Sequence, residues 1–205
     1  MGEMPRIRAD SIAEHKKMTR RQILGAAQEL IAEVGSAEIS LGEIATAVGI
    51  GRTTLYEYFS DRDDVIASLV EEELPGVVAG IISDLSPGMA APQHLAEVAE
   101  RTVRFVATDR VLGLILHREV GRLSASAQQR IRVAHADLVS EMASVYAGGV
   151  AEGSLRPLPV DLAGRFIQDT IMSAARAVIA APRPDERLPE ILAGMRTFLL
   201  GGLAT

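Results

Sequence analysis

The chain has 205 residues and no cysteine, which excludes disulfides and thiolate metal sites and points to a reducing compartment. Aromatic residues make up only 3% and Trp is absent, while Ala, Leu, Val and Ile supply most of the apolar 48%; that bias favours helices packed on helices over a β-sandwich. The net charge is −6, and residues 1–64 hold 8 Lys/Arg against 11 Asp/Glu, so nucleic-acid binding through bulk positive charge is excluded and such a partner would have to be met by placement. The N-terminus lacks the apolar run of a signal peptide, and no uncharged apolar stretch reaches the ~18 residues of a membrane span, so a soluble cytoplasmic protein is expected.

In chain order, residues 1–18 show no sustained period and are expected to form a flexible arm, with Arg6, Arg8, Lys16 and Lys17 diluted by Asp10 and Glu14. Thr19 stands where a helix cap belongs. Ile23, Ala27, Leu30, Ile31 and Val34 then recur at helical spacing until Gly35. A short second helix follows Ser40 as N-cap, with Leu41, Ile44, Ala45 and Val48 on one face and Gly49 as its stop. The third runs from Gly51 to about Phe59. Ser60 and Asp63 read as a capping box opening a long fourth helix, which Pro75-Gly76 should kink or break. Ser86–Pro92 is a loop, and further helices are expected at about 93–108, 110–123, 126–152, 160–181 and 188–203. The expected fold class is all-α.

The informative stretch is Ser40–Phe59. Ala45 is small where a second helix must cross closely, and Gly49 can take the left-handed conformation of a sharp interhelical turn. A generic amphipathic helix pair could share this spacing. The second helix of the pair says more. At ~100° per residue, Leu55 and Phe59 fall together and define a buried side, leaving Arg52, Thr53, Tyr56 and Glu57 outward. A short outer face rich in hydroxyls at a helix N-terminus suits the major groove, where base edges are read by the first turns and phosphates are held by hydroxyls, Arg and free N–H groups. An ordinary solvated face more often carries long Glu/Lys pairs.

The run from Thr19 through I-L-x-A-A-x-E-L-I-A-E-x-G, and then I-x-x-A-x-V-G-I-G-R-T-T-L-Y-E-Y-F-x-D-R-D-D-V, resembles the TetR family of bacterial repressors over about Thr19–Leu69. The resemblance implies a homodimer in which a helix-turn-helix domain (19–62) binds an operator half-site on double-stranded DNA. A larger helical domain (63–205) would then hold a small-molecule effector and the dimer surface. It also implies that Thr53, Thr54, Tyr56 and Tyr58 touch bases and phosphates, that Arg62 is the phosphate-binding cation opening the fourth helix, and that Gly51 and Arg52 lie at the recognition helix N-terminus. Ser40 resembles the hydroxyl residue that meets a phosphate at the second helix. Arg20 and Arg21, opening the first helix, lie where a phosphate could approach.

Two positions depart from the pattern. Gly42 stands where many members carry a DNA-reading side chain, and Glu57 puts a carboxylate on the groove side. Glu57 could accept from a cytosine amino group, or be a solvated Glu.

Two late segments read as a dimer interface under the same resemblance: Phe166, Ile167, Ile171 and Ala174, then Ile191, Met195, Phe198 and Leu199; packing within one subunit is the alternative. Candidate effector-pocket residues between the middle helices are Phe105, Leu114, His117, Met142, Tyr146, Gln168 and Met172. No catalytic motif, cofactor or metal is expected: G-x-S-x-G and H-E-x-x-H are absent, and G-I-G-R-T-T lacks the length and Lys of a phosphate-binding loop. A helical protein–protein adaptor that has lost DNA binding stays open as the alternative.

Overall fold

The computed structural model describes residues 6–83, 85, 88–109 and 111–205, with side chains from Ile12 onward. The first five residues of the expected arm, and Ser86 and Pro87 of the expected loop, lie outside this range. The fold is all-α. Among the described residues no helix is long and apolar enough to cross a membrane.

Helix α1 (Arg6–Val34) begins far ahead of Thr19. The expected flexible arm is therefore helical from Arg6. No Gly or Pro interrupts residues 6–24, and good helix formers extend a helix whose later turns are fixed by packing. The missing period is explained by exposure: residues 12–18 all face solvent, Ile12 and Met18 by 58% and 56%. Thr19 is buried within the helix and caps nothing; its Oγ1 donates to the His15 carbonyl at 3.0 Å. Gly35, at φ +68°, ends α1 as expected.

Helix α2 (Leu41–Val48) is closed at both ends by its own sequence. The Ser40 hydroxyl accepts the Glu43 N–H at 3.1 Å, and the Ser40 N–H donates to the Glu43 carboxylate at 2.7 Å. Gly49, at φ +76°, turns the chain and donates its N–H to Ala45 and Thr46 carbonyls. Helix α3 (Arg52–Tyr56) follows, then α4 (Arg62–Ser83). The expected Ser60/Asp63 box does not form. Asp61 Oδ1 accepts the Asp64 N–H at 2.8 Å, and Asp64 Oδ2 accepts the Ser60 N–H at 2.9 Å. The cap is thus Asp61, with Asp64 reaching back one residue further to Ser60, and Asp63 is left for a distant partner. Pro75 does not break α4, because it lies on the helix's exposed side, where water can satisfy a freed carbonyl.

Helix α5 (Ala91–Thr108) leads to an irregular middle segment: one turn of α6 (Leu112–Leu114), a π turn (Ile115–Glu119) and a 3₁₀ turn (Val120–Arg122). Gly113 permits this close approach, since a Cβ there would lie 3.2 Å from the Val106 carbonyl carbon. The expected helix over 126–152 is two, α7 (Ala125–Ala134) and α8 (Ala136–Ala151), separated at His135. Helices α9 (Val160–Ile179) and α10 (Pro184–Leu203) complete the chain.

Two cores result. The first gathers Ile23, Ile31, Ile44, Leu55, Phe59 and Ile66, and continues past residue 62 through α4 into Leu112, Ile115 and Ile131. The second gathers Leu95, Val103, Tyr146, Ile167, Ile171, Leu192 and Leu199 from α5 and α8–α10.

Candidate nucleic-acid interface

Helix α3 is held by one fully buried side chain, Leu55, and by Phe59 at 1% exposure just beyond it. Both share the first core with Ile44 and Ala45 of α2. Everything else that can make a hydrogen bond is turned outward or partly so. Arg52, Thr53, Tyr56 and Glu57 are exposed, Tyr56 by 59%, while Thr54 and Tyr58 are half-buried. The helix stops at Tyr56 rather than near Phe59. Its end tightens as Glu57 and Tyr58 donate their N–H groups to the Thr54 and Leu55 carbonyls, at 3.1 and 2.9 Å. Glu57 therefore sits past the last helical residue, at the C-terminal end of α3.

A cleft of about 330 Å³ runs from the start of α2 to the start of α4, lined by Ser40, Leu41, Gly42, Arg52, Tyr56, Ser60, Asp61 and Arg62. Ser40, Arg52, Tyr56 and Arg62 are thus brought together from three elements. Hydrogen bonds from Ser40 hold the Glu43 carboxyl below its ordinary pKa. At Gly42 the missing side chain leaves room for Arg52. A Cβ on it would stand 2.8 Å from Cζ and 2.9 Å from Nε of Arg52. The Arg52 guanidinium therefore folds back from α3 over the first turn of α2, into the space a side chain at position 42 would need. Gly51 is the exposed N-cap of α3.

Two of the expected phosphate-facing cations are otherwise engaged. Arg62 donates to Asp63 Oδ1 through Nε and Nη2, at 3.2 and 3.0 Å. Arg20 lies with its guanidinium carbon 4.6 Å from the Phe59 ring centroid and its Nε 3.4 Å from the Glu72 carboxylate. Because α1 starts at Arg6, Arg20 is a mid-helix residue tying α1 to the recognition unit and α4; it does not open a helix toward a phosphate. Arg21 beside it is exposed.

Farther from this face, Phe105 and Met142 are partly buried against both cores, Leu114 against the first and Met172 against the second. His117 is half-buried in the π turn; burial, then Arg176 and Arg118, push its pKa below the ordinary histidine value. Glu119 is 5% exposed, with Arg122 Nη1 at 3.9 Å. Two further pocket candidates are placed differently. Tyr146 is buried with both roles of its hydroxyl taken, donating to the Arg156 carbonyl at 2.9 Å and accepting the Leu158 N–H at 2.8 Å, so it latches the turn before α9. Gln168 lies on the exposed side of α9.

A larger groove, about 800 Å³, opens between α9 and α10; Phe166, Ala174, Ile191, Met195, Phe198 and Leu199 are among its lining. Phe166 and Phe198 are 50% and 70% exposed there. Ile167 and Ile171, expected on the same surface, are instead 4% exposed within the second core. Helix α9 packs by its inner face, with Ala163, Ile167, Ile171 and Ala175, and leaves the face with Phe166 open.

Residues 62–71 hold contacts that chain order did not reveal. Arg130 of α7 donates to Asp64 Oδ1 through Nη1 at 2.7 Å, to Ser68 Oγ through Nη2 at 2.7 Å, and to Glu71 through Nε and Nη2 at 2.9 and 2.5 Å. Asp63 Oδ2 accepts the Ser124 N–H at 2.7 Å. The spacing of Asp64, Ser68 and Glu71, one face of a helix otherwise largely buried, was the available signal.

Residues 23–69 match the family described as bacterial regulatory proteins, tetR family, and residues 88–176 match a tetracyclin repressor-like C-terminal domain. The fatty acid metabolism regulator protein of Bacillus subtilis (strain 168) is 26% identical over 159 residues, 77% of this chain and 82% of that one. Among solved structures, the fatty acid degradation regulator FadR from Bacillus halodurans superposes with a TM-score of 0.72 at 23% identity, covering 90% of this chain and 95% of the other. The regulator FadR from Bacillus subtilis, in complex with stearoyl-CoA, gives 0.73 at 23% identity, covering 89% and 98%. These relatives are transcriptional regulators and not enzymes. With a recognition unit and a helical body that each match a domain of one family, the chain belongs to the TetR family of bacterial transcriptional regulators.

Proposed function

We propose that this regulator is a homodimeric repressor that binds a palindromic operator through α2 and α3 and is released by an amphiphile with a long apolar tail, of the fatty-acyl thioester class. The observation that carries the operator reading is the outer face of α3, where Arg52, Thr53 and Tyr56 are solvent-exposed around a fully buried Leu55. Hydroxyls and a guanidinium on a short rod match what a major groove offers, and two copies would meet half-sites one helical turn apart, about 34–36 Å. The exposed apolar groove of α9 and α10 supports the two-fold pairing.

The effector class rests on the seam between the two cores. Phe105 and Met142 are partly buried there against both, which suits an apolar chain inserted among adaptable side chains. The relative from Bacillus subtilis that regulates fatty acid metabolism, and the FadR structure holding stearoyl-CoA, favour the acyl class over other apolar ligands.

A gel-shift assay with the DNA upstream of the protein's own gene tests this reading. Retarded duplex is expected at about 50 mM salt, weaker at about 200 mM, because phosphate contacts release counterions. Adding stearoyl-CoA should free the duplex while coenzyme A alone does not. Absence of any shift at low salt sinks the operator reading; a shift indifferent to stearoyl-CoA sinks the effector class.

A further inference from the structure

We infer that Arg130 is a positioning residue for DNA reading: through Asp64 it fixes where the recognition helix stands relative to the helical body. The inference rests on the operator reading above and adds to it a residue outside the helix-turn-helix.

The geometry is a two-step link. Arg130 Nη1 donates to one oxygen of the Asp64 carboxylate at 2.7 Å, and the other oxygen of that carboxylate accepts the Ser60 N–H at 2.9 Å. Ser60 directly follows Phe59, one of the two anchors of α3. A single carboxylate therefore joins α7 to the segment where the recognition helix ends. Arg130 is itself held from three sides: its fork also engages both oxygens of Glu71 and the Ser68 hydroxyl. The planar guanidinium, with donors in fixed directions, ties two carboxylates of α4 that lie about two turns apart, with Ser68 between them. Burial alone would raise the Asp64 pKa, but the Ser60 N–H and Arg130 outweigh it and keep the carboxylate charged. Arg130, Asp64 and Glu71 side chains are 33%, 25% and 37% exposed, so the group is partly shielded from competing water.

Beside it runs a second tie in the same direction, the Ser124 N–H donating to Asp63. Ser124 is the N-cap of α7, and its hydroxyl accepts the Ala127 N–H at 3.3 Å. Movement of α7 is thus transmitted to the start of α4 at two neighbouring residues. On the α7 side the first link is made by the Arg130 side chain and the second by the Ser124 backbone, so a substitution in α7 removes only the first.

A merely structural bridge would lower stability and leave the placement of α3 unchanged; a positioning residue changes placement itself. The chain has no native cysteine, so Ala47→Cys on exposed α2 and Ala151→Cys at the exposed end of α8 give a spin-labelled pair. With unlabelled chain in excess, the intrachain distance distribution between them is read in wild type, Arg130→Ala, Arg130→Lys and Glu71→Gln. In parallel, unlabelled wild type enriches a duplex from a random pool. Affinity for that duplex is then measured with its half-site separation changed by one to three base pairs.

Arg130→Ala should at least double the width of the distance distribution and cut the preference for the native separation about tenfold. Arg130→Lys, which keeps the charge but not the fork, should fall between. Should Arg130→Ala not fold, Arg130→Lys and Glu71→Gln carry the same comparison. A distance distribution and a separation profile that stay at wild type while only the melting temperature drops would overturn the inference. If wild type enriches no duplex, the operator reading fails, and the distance measurement still decides the link.

Discussion

At the scale of single residues, Leu55 matters most to the recognition unit. It is fully buried while its neighbours on both sides are not, so α3 has no second apolar attachment within its own five residues. Leu55→Ala should cost about 2–5 kcal/mol, read by denaturant titration, and abolish duplex binding even where the rest of the chain stays folded. Tyr56→Phe makes the opposite separation: the hydroxyl is exposed, so affinity should drop several-fold with the melting temperature unchanged. Gly42→Leu should weaken duplex binding through Arg52, whose guanidinium occupies the space that side chain needs. Glu57→Ala tests the cytosine pairing: a changed base preference at one operator position supports it, an unchanged profile removes it.

What was legible among these residues was local. Ser40 and Gly49 act through partners within four positions, which cap chemistry exposes directly, and the four-residue spacing of Leu55 and Phe59 marks their shared buried side. Arg52 over Gly42, ten residues away, and the Tyr146 latch on residues 156 and 158 depend on turns whose direction the sequence does not state. Arg20 was misplaced for a related reason. Without knowing that α1 starts at Arg6, its place at the front of a helix looked natural, whereas in the fold it lies over Phe59.

At the scale of elements, α4 does two jobs. Its apolar side joins the first core, and its acidic residues Asp63, Asp64 and Glu71 receive α7. Hydrogen bonding from Arg130 lowers the Glu71 pKa against the opposing effect of burial, and the Asp64 pKa is lowered as well. Groups held below their ordinary values stabilise the fold above the unfolded carboxylate pKa, about 4, and lose that contribution as pH falls through the folded values. Melting temperatures from pH 7 to pH 3 should therefore show wild type and Arg130→Met converging at the acid end. A gap that persists undiminished would assign the bridge's contribution to packing instead. At the other end of the recognition unit, Ser40→Ala should cost about 1 kcal/mol by removing the cap of α2. Helix count was largely readable from periodicity. The π turn, the break at His135 and the continuity of α4 through Pro75 were not, since each depends on which side of a helix meets solvent or a neighbour.

At the scale of the molecule, the proposed pairing rests on the groove between α9 and α10. Phe198, 70% exposed, and Phe166, 50% exposed, line the same apolar groove, a patch and not a lone surface aromatic. Phe198→Glu should convert the dimer to monomer in size-exclusion chromatography with light scattering. Wild type should show a melting temperature that rises with protein concentration. All-helical architecture was legible from composition; the division of α9 into an inward face with Ile167 and Ile171 and an outward one with Phe166 was not, because both faces read as apolar.

The separation of the two cores has a genetic consequence. Leu55 and Phe59 belong to one, while Ile167, Met195 and Leu199 belong to the other. Under the proposed pairing, a copy with a ruined recognition unit keeps its α9–α10 face, so in a cell making both versions it would capture healthy subunits into mixed pairs with one working half. Lesions near Leu55 should behave as dominant over wild type, whereas lesions at Phe198 should be recessive.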